Sequence, residues 1–199
     1  MNERELIAGC VLSEPKAQTE LVRLYSPFIM GICRRYMMNY SLEEDALQES
    51  FIQIFRFIHQ FREDGNLQAW IRKITVNCCL HLIKNFNKHS SDEINDFTES
   101  YLSSNELNAL DNLNAQELIH LIQQLPKGYR EVFNLYVVDG YSHQEIAELL
   151  GFNESTSRSQ LSRAKALLQK QIQLLLPNSN FKLSQKEIQS DKPILNFES

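Results

Sequence analysis

Residues 142–153 hold a start signal, a short apolar period and a stop signal for one helix, followed at once by the start signal of another. Ser142 is an N-cap residue type, and Glu145 three positions on completes the capping-box pattern. Ile146, Leu149 and Leu150 follow at helical spacing and are expected to face inward. Ala147 stands where two helices can cross only if the side chain is small. Gly151 supplies the left-handed backbone that ends a helix and permits a tight turn. Phe152 packs that turn, and Asn153 caps the second helix, which Leu161, Ala164 and Leu168 anchor to a core. Its other face carries Ser155, Thr156, Ser157, Arg158, Ser159 and Arg163. Hydroxyls at a helix N-terminus suit phosphates, and arginine can fork onto guanine in the major groove. Ser142 to Lys165 therefore reads as a helix-turn-helix that touches DNA. The plain competitor is a helical hairpin with a solvated basic face, but caps, turn glycine, inward residues and outer charge all agree on the first reading.

The rest of the chain is consistent with an all-α fold. Only 6 Gly and 5 Pro occur in 199 residues, and Leu, Gln, Glu and Ala recur without strand-like alternation. No run approaches the roughly 18 apolar residues of a membrane span. The charged start, Met1 to Glu5, lacks a signal peptide's apolar core, so a cytoplasmic protein without membrane insertion is expected. Cys10, Cys33, Cys78 and Cys79 have no CxxC spacing, and the vicinal pair cannot easily bridge. They read as reduced, buried thiols, and neither a metal nor another cofactor is expected.

A formal charge of −5 is unusual for a DNA binder, but its distribution is informative. Between residues 52 and 88, six Lys or Arg face two acids. Residues 90–125 hold seven acids and no Lys or Arg. Residues 154–173 hold four Lys or Arg against Glu154. Two basic segments thus flank an acidic one, the layout of two phosphate-facing modules kept apart by a segment that avoids DNA.

The domains are drawn as 1–88, an acidic flexible linker over 89–112, 113–176, and a polar tail over 177–199. Fully extended, the 24 linker residues span at most roughly 80 Å. In the first module Leu21, Tyr25, Phe28, Ile32 and Tyr36 form one apolar stripe, which Ser26-Pro27 is expected to kink or restart. Ser41 is the expected cap of the next helix, with Glu44 completing its box and Leu47, Phe51, Ile54, Phe55 and Ile58 buried. The opposite side of that helix shows Asp45, Gln48, Glu49, Gln53 and Arg56. Phe61 to Asn66 reads as a loop, followed by a helix with Trp70, Ile74 and Cys78 inward and Arg72, Lys73, Asn77 and Lys84 outward. Phe51, Phe55 and Trp70 are read as core before they are read as stacking platforms. In the second module, helices are expected over Ala115–Leu125, stopped by Pro126, and over Tyr129–Val138, ended by Asp139-Gly140.

Leu125-Pro126, Arg130 to Phe133, Asp139 to Ser142, Glu145-Ile146-Ala147, Leu150-Gly151 and Ser159 to Lys165 together resemble region four of extracytoplasmic-function (ECF) sigma factors. Asp45 to Phe51 with Ile54-Phe55 resembles the polymerase-binding helix of region two, and Trp70-Ile71, Ile74-Thr75, Asn77 and Lys84 its promoter-reading helix. The resemblance covers roughly residues 17–176, with both modules in the family's order. It implies that Asp45, Gln48, Glu49 and Ile52 bind the β′ clamp helices of core RNA polymerase. It implies that Arg62 to Asn66 capture an unstacked base of the minus-ten element, with Arg72, Lys73, Asn77 and Lys84 holding the strand. Ser155 to Arg163 would read the minus-thirty-five element, and the same module would touch the β flap. An anti-sigma factor is a further implied partner, and the polymerase performs the chemistry. The chain departs from the family pattern at His81, at Lys84-Asn85, and at Ser157, where valine is common.

Two other classes fit the sequence less well. A helix-turn-helix regulator binding duplex DNA as a dimer would have no use for the aromatic, basic segment from Ile52 to Lys88. An enzyme acting on a small substrate would need paired carboxylates, a phosphate loop or a nucleophile with its base, and none stands out.

Overall fold

The computed structural model describes residues 1–62, 65–89 and 115–175. Every regular element among them is helical. The expected linker and tail lie outside the described residues, apart from His89 at the linker's start. The chain divides into two units, and the first comprises Met1–Cys33 with Ser41–Asn114.

Helix α1 (Glu3–Val11) starts on a capping box: Asn2 Oδ1 accepts from the Glu5 amide at 2.9 Å, and the Glu5 carboxylate accepts from the Asn2 amide at 3.0 Å. It crosses α2 (Pro15–Tyr36) so closely that a Cβ on Gly9 would sit 2.6 Å from the Ala17 Cβ, and only glycine fits there. Helix α2 is continuous through Pro27, so the proline does not restart it. Leu21, Ile29 and Ile32 are buried on both sides of the proline, so packing outweighs one missing backbone bond.

Helix α3 (Tyr40–Phe57) begins at Tyr40, so Ser41 lies inside the first turn rather than at the cap. Ala46, Phe51 and Ile54 make its buried stripe, which Ile58 continues just past its end, while Leu47 and Phe55 are half-buried. A 3-10 turn, Ile58–Gln60, leads towards α4 (Leu67–His89). Asn66 caps α4, its Oδ1 accepting from the Ala69 amide at 2.9 Å. Two hydroxyls in this core return to their own helices: Ser50 donates to the Ala46 carbonyl at 2.6 Å and Thr75 to the Ile71 carbonyl at 3.0 Å. All four thiols are free and buried, and burial pushes Cys78 up to about 11.

The second unit comprises Ala115–Ser199 and Arg34–Tyr40, the end of α2 with the residues after it. That segment, drawn with the first module from sequence, is held here by specific bonds. Asp139 pairs with Arg35 at 3.0 Å and accepts from the Tyr36 hydroxyl at 2.7 Å. The Asn134 amide donates to the Arg35 carbonyl at 2.9 Å.

Helix α5 (Ala115–Gln123) buries Leu121 and Ile122. Helix α6 (Lys127–Phe133) starts at Pro126 and widens into a π-helical segment, Asn134–Val138. The wider turn accommodates a run too apolar for one helical face, because Val132, Phe133, Leu135, Val137 and Val138 are all buried. Helices α7 (His143–Leu150) and α8 (Glu154–Leu175) complete the unit, with Ile146, Leu161, Ala164, Leu168 and Ile172 in its core.

Candidate nucleic-acid interface

The turn between α7 and α8 has the local chemistry read from the sequence. Ser142 Oγ accepts from the Glu145 amide at 3.2 Å, and the Glu145 carboxylate accepts from the Ser142 amide at 2.8 Å. Gly151 closes α7 at φ 76°, in the left-handed region. Asn153 Oδ1 accepts from the Thr156 amide at 2.8 Å and from the Ser155 and Thr156 hydroxyls at 2.7 Å each. That oxygen satisfies one of the orphan amides at the positive end of α8.

On α8, Ser155, Arg158, Ser159 and Arg163 are exposed. Arg158 is ion-paired with Glu154 one turn earlier, and Arg163 lies 3.4 Å from the Tyr129 hydroxyl, to which it donates. Ser159 donates to the Thr156 carbonyl at 3.0 Å, and Thr156 is half-buried over the cap. Ser157 departs from the expected outer face. It is fully buried, and its Oγ lies 2.8 Å from His143 Nδ1. The helical period explains this, since Ser157 precedes Leu161, Ala164 and Leu168 on the inward stripe. Leu149, expected inward, is exposed instead.

His143 was not singled out in the sequence. Its ring stacks on Tyr136 with centroids 4.3 Å apart and planes 20° from parallel. Burial holds its imidazole below the ordinary pKa, and the Arg158 and Lys165 charges act in the same direction against Glu154.

In the first unit, Gln60, Phe61, Arg62, Gly65, Asn66 and Trp70 line an open concavity of about 450 Å³. Phe61 and Trp70 meet edge to face at 5.6 Å, so Trp70 is both packed and part of the wall. Arg62 and Asn66 are exposed at its rim, while Glu63 and Asp64 lie outside the described residues. On α4, Lys73, Asn77 and Lys84 are exposed. Arg72 is half-buried, its guanidinium 5.4 Å from the Phe28 ring centre, so part of its role is packing. On α3, Asp45, Gln48 and Ile52 are exposed and Glu49 is half-buried, accepting from Gln53 Nε2 at 2.6 Å. Ile52 is 58% exposed, an apolar side chain among polar ones.

Among the described residues no group of His, Cys, Asp or Glu could hold a metal ion, and no helix is long and apolar enough to cross a membrane.

Residues 21–88 match the family model described as sigma-70 region 2, and residues 115–168 match that of sigma-70 region 4. The chain is 25% identical over 186 residues to the ECF RNA polymerase sigma-E factor of Haemophilus influenzae, covering 88% of this chain and 98% of that one. The chain is an ECF sigma factor. The RNA polymerase sigma-H factor of Pseudomonas aeruginosa is also 25% identical, over 87% of this chain and 95% of its own length. The ECF RNA polymerase sigma-E factor of Escherichia coli K12 is 25% identical over 88% and 97%. In fold, this ECF sigma factor is similar to the sigma factor RpoE of Bartonella quintana, solved with the anti-sigma factor NepR. That likeness has a TM-score of 0.54 at 21% identity and covers 78% of this chain and 96% of that one. The ECF sigma factor is thus a transcription-initiation factor and not an enzyme.

Proposed function

We propose that this ECF sigma factor divides its work over three surfaces. The exposed side of α3, with Asp45, Gln48, Glu49 and Ile52, docks the β′ clamp helices of core RNA polymerase. The concavity between Arg62 and Trp70 receives an unstacked base of the minus-ten element, while Lys73, Asn77 and Lys84 along α4 hold the strand's phosphates. The outer side of α8, with Ser155, Arg158, Ser159 and Arg163, reads the minus-thirty-five element, and the second unit also meets the β flap. An anti-sigma factor is a further partner, in keeping with the NepR complex of the Bartonella relative.

The concavity carries this reading. It offers two aromatic rings, a guanidinium and a carboxamide around a space on an exposed loop, the combination an unpaired base needs. A duplex-binding regulator gains nothing from it. Transcription by core polymerase with this protein, on a closed promoter and on the same promoter pre-opened over the minus-ten element, tests the reading. Specific initiation on both templates is expected. Absence of specific initiation on either template, with the protein folded, would overturn it.

A further inference from the structure

The inward stripe of α8 consists of Ser157, Leu161, Ala164, Leu168 and Ile172, each at most 5% exposed. Four of the five are apolar and hold the helix by burial, which resists separation but tolerates small rotations. Ser157 is the exception, and it lies in the first turns of α8 beside Ser155, Arg158 and Ser159. A serine buries almost no apolar area, so the DNA-facing end of α8 lacks the apolar anchor that holds the rest. In its place is one directional contact, the 2.8 Å bond between Ser157 Oγ and His143 Nδ1.

The imidazole is fixed by elements other than α8. It stacks on Tyr136 of the π-helical segment, and its backbone follows directly on the Ser142 capping box of α7. We propose that His143 is a positioning residue for promoter reading: its bond to Ser157 sets the rotation of α8 about its own axis, and with it the direction in which Ser155, Arg158, Ser159 and Arg163 point. The inference rests on α8 being the DNA-reading helix. In this arrangement the proposed form is the neutral ring protonated at Nε2, with the Ser157 hydroxyl donating to Nδ1 across the 2.8 Å contact. Burial, the nearby Arg158 and Lys165 charges and the positive first turn of α7 all disfavour the imidazolium, against Glu154 alone. A direction-setting bond affects discrimination between DNA sequences more than attraction to phosphates, which depends on charge.

The test uses the full chain assembled with core polymerase. Wild type first selects its preferred upstream sequence from a randomised duplex pool. Affinity is then measured for that duplex and a scrambled one. Asn carries an acceptor near the place of Nδ1, whereas Gln carries its amide further out. His143→Gln and Ser157→Ala should each lower the selected-to-scrambled ratio about tenfold, the size of one lost hydrogen bond in a buried site. The double variant should be no worse than either single, and His143→Asn should stay within about twofold of wild type. A spectrum correlating ring nitrogens and carbon-bound protons in wild type, assigned with His143→Asn, should show one Nε2–H tautomer. The proposal is overturned if helical Ser157→Ala or His143→Gln keeps the full ratio, if Asn fails as badly as Gln, or if the wild-type ring averages between tautomers. Should a variant lose helicity, the wild-type spectrum decides. If wild type selects no sequence at all, the assignment of α8 as the reading helix fails as well, which separates the two ideas.

Discussion

Gly151 is held at φ 76°, and Ser142 makes both bonds of its capping box. Ser142→Ala should lower the stability of the second unit by about 1 kcal/mol. Gly151→Ala should cost roughly 1–2 kcal/mol, because the left-handed conformation brings a Cβ against the following carbonyl. Urea midpoints followed by helicity check both, and wild-type midpoints would contradict the assigned turn. Glu131 allows a test with pH. Burial raises its pKa, and the Lys127 and Arg130 charges only partly oppose this. The folded state therefore holds the Glu131 proton more tightly than the unfolded state, so the ionised group costs stability at neutral pH, and that cost fades as pH falls through the raised value. Glu131→Gln should accordingly raise the urea midpoint at neutral pH, with the gain shrinking as pH falls towards the ordinary carboxylate range. A gain independent of pH would show that the charge is not the cause.

At the scale of elements, α8 and α3 present two different kinds of surface. The exposed guanidiniums of α8 face a polyanion in the proposed complex, so Arg158→Ala and Arg163→Ala should each weaken promoter binding and reduce the salt slope by about one. Titration of duplex between low and moderate salt gives the slope, and unchanged slopes for both would remove α8 from the interface. The α3 surface combines carboxylate and carboxamide groups with the exposed Ile52. Gln48→Ala combined with Glu49→Ala should disrupt association with core polymerase while leaving helicity intact. Retained co-purification with core polymerase would place the partner face elsewhere. The elements also show what helical patterns can hide. Helix α1 is encoded in the Asn2 and Glu5 capping pair, which the charged start of the chain conceals. Pro27 does not break α2, because a local signal worth about 3 kcal/mol yields to burial on both sides.

Across the whole molecule, the proposed function gives promoter opening to the first module and upstream reading to the second. Arg62→Ala should then impair initiation on a closed promoter more than on one already open at the minus-ten element, since the exposed guanidinium stands at the rim of the concavity. Transcript yields on the two templates measure this, and equal losses on both would argue against a role in opening. The all-α class and the capped turn around Gly151 followed from the sequence, because caps, turn glycines and apolar periods act over a few residues. The side chains exposed on α3 and α4 followed from the same periodicity. What the sequence could not decide are the contacts between residues far apart in the chain or near the edge of a helical stripe. Arg35, Tyr36 and Asp139 meet across about a hundred positions. Ser157, polar and in the motif's outer run, turns inward to His143, 14 residues away. Composition makes such a serine look like surface; only the packing of α8 against α7 decides that its hydroxyl is buried and supplies the nitrogen that bonds it.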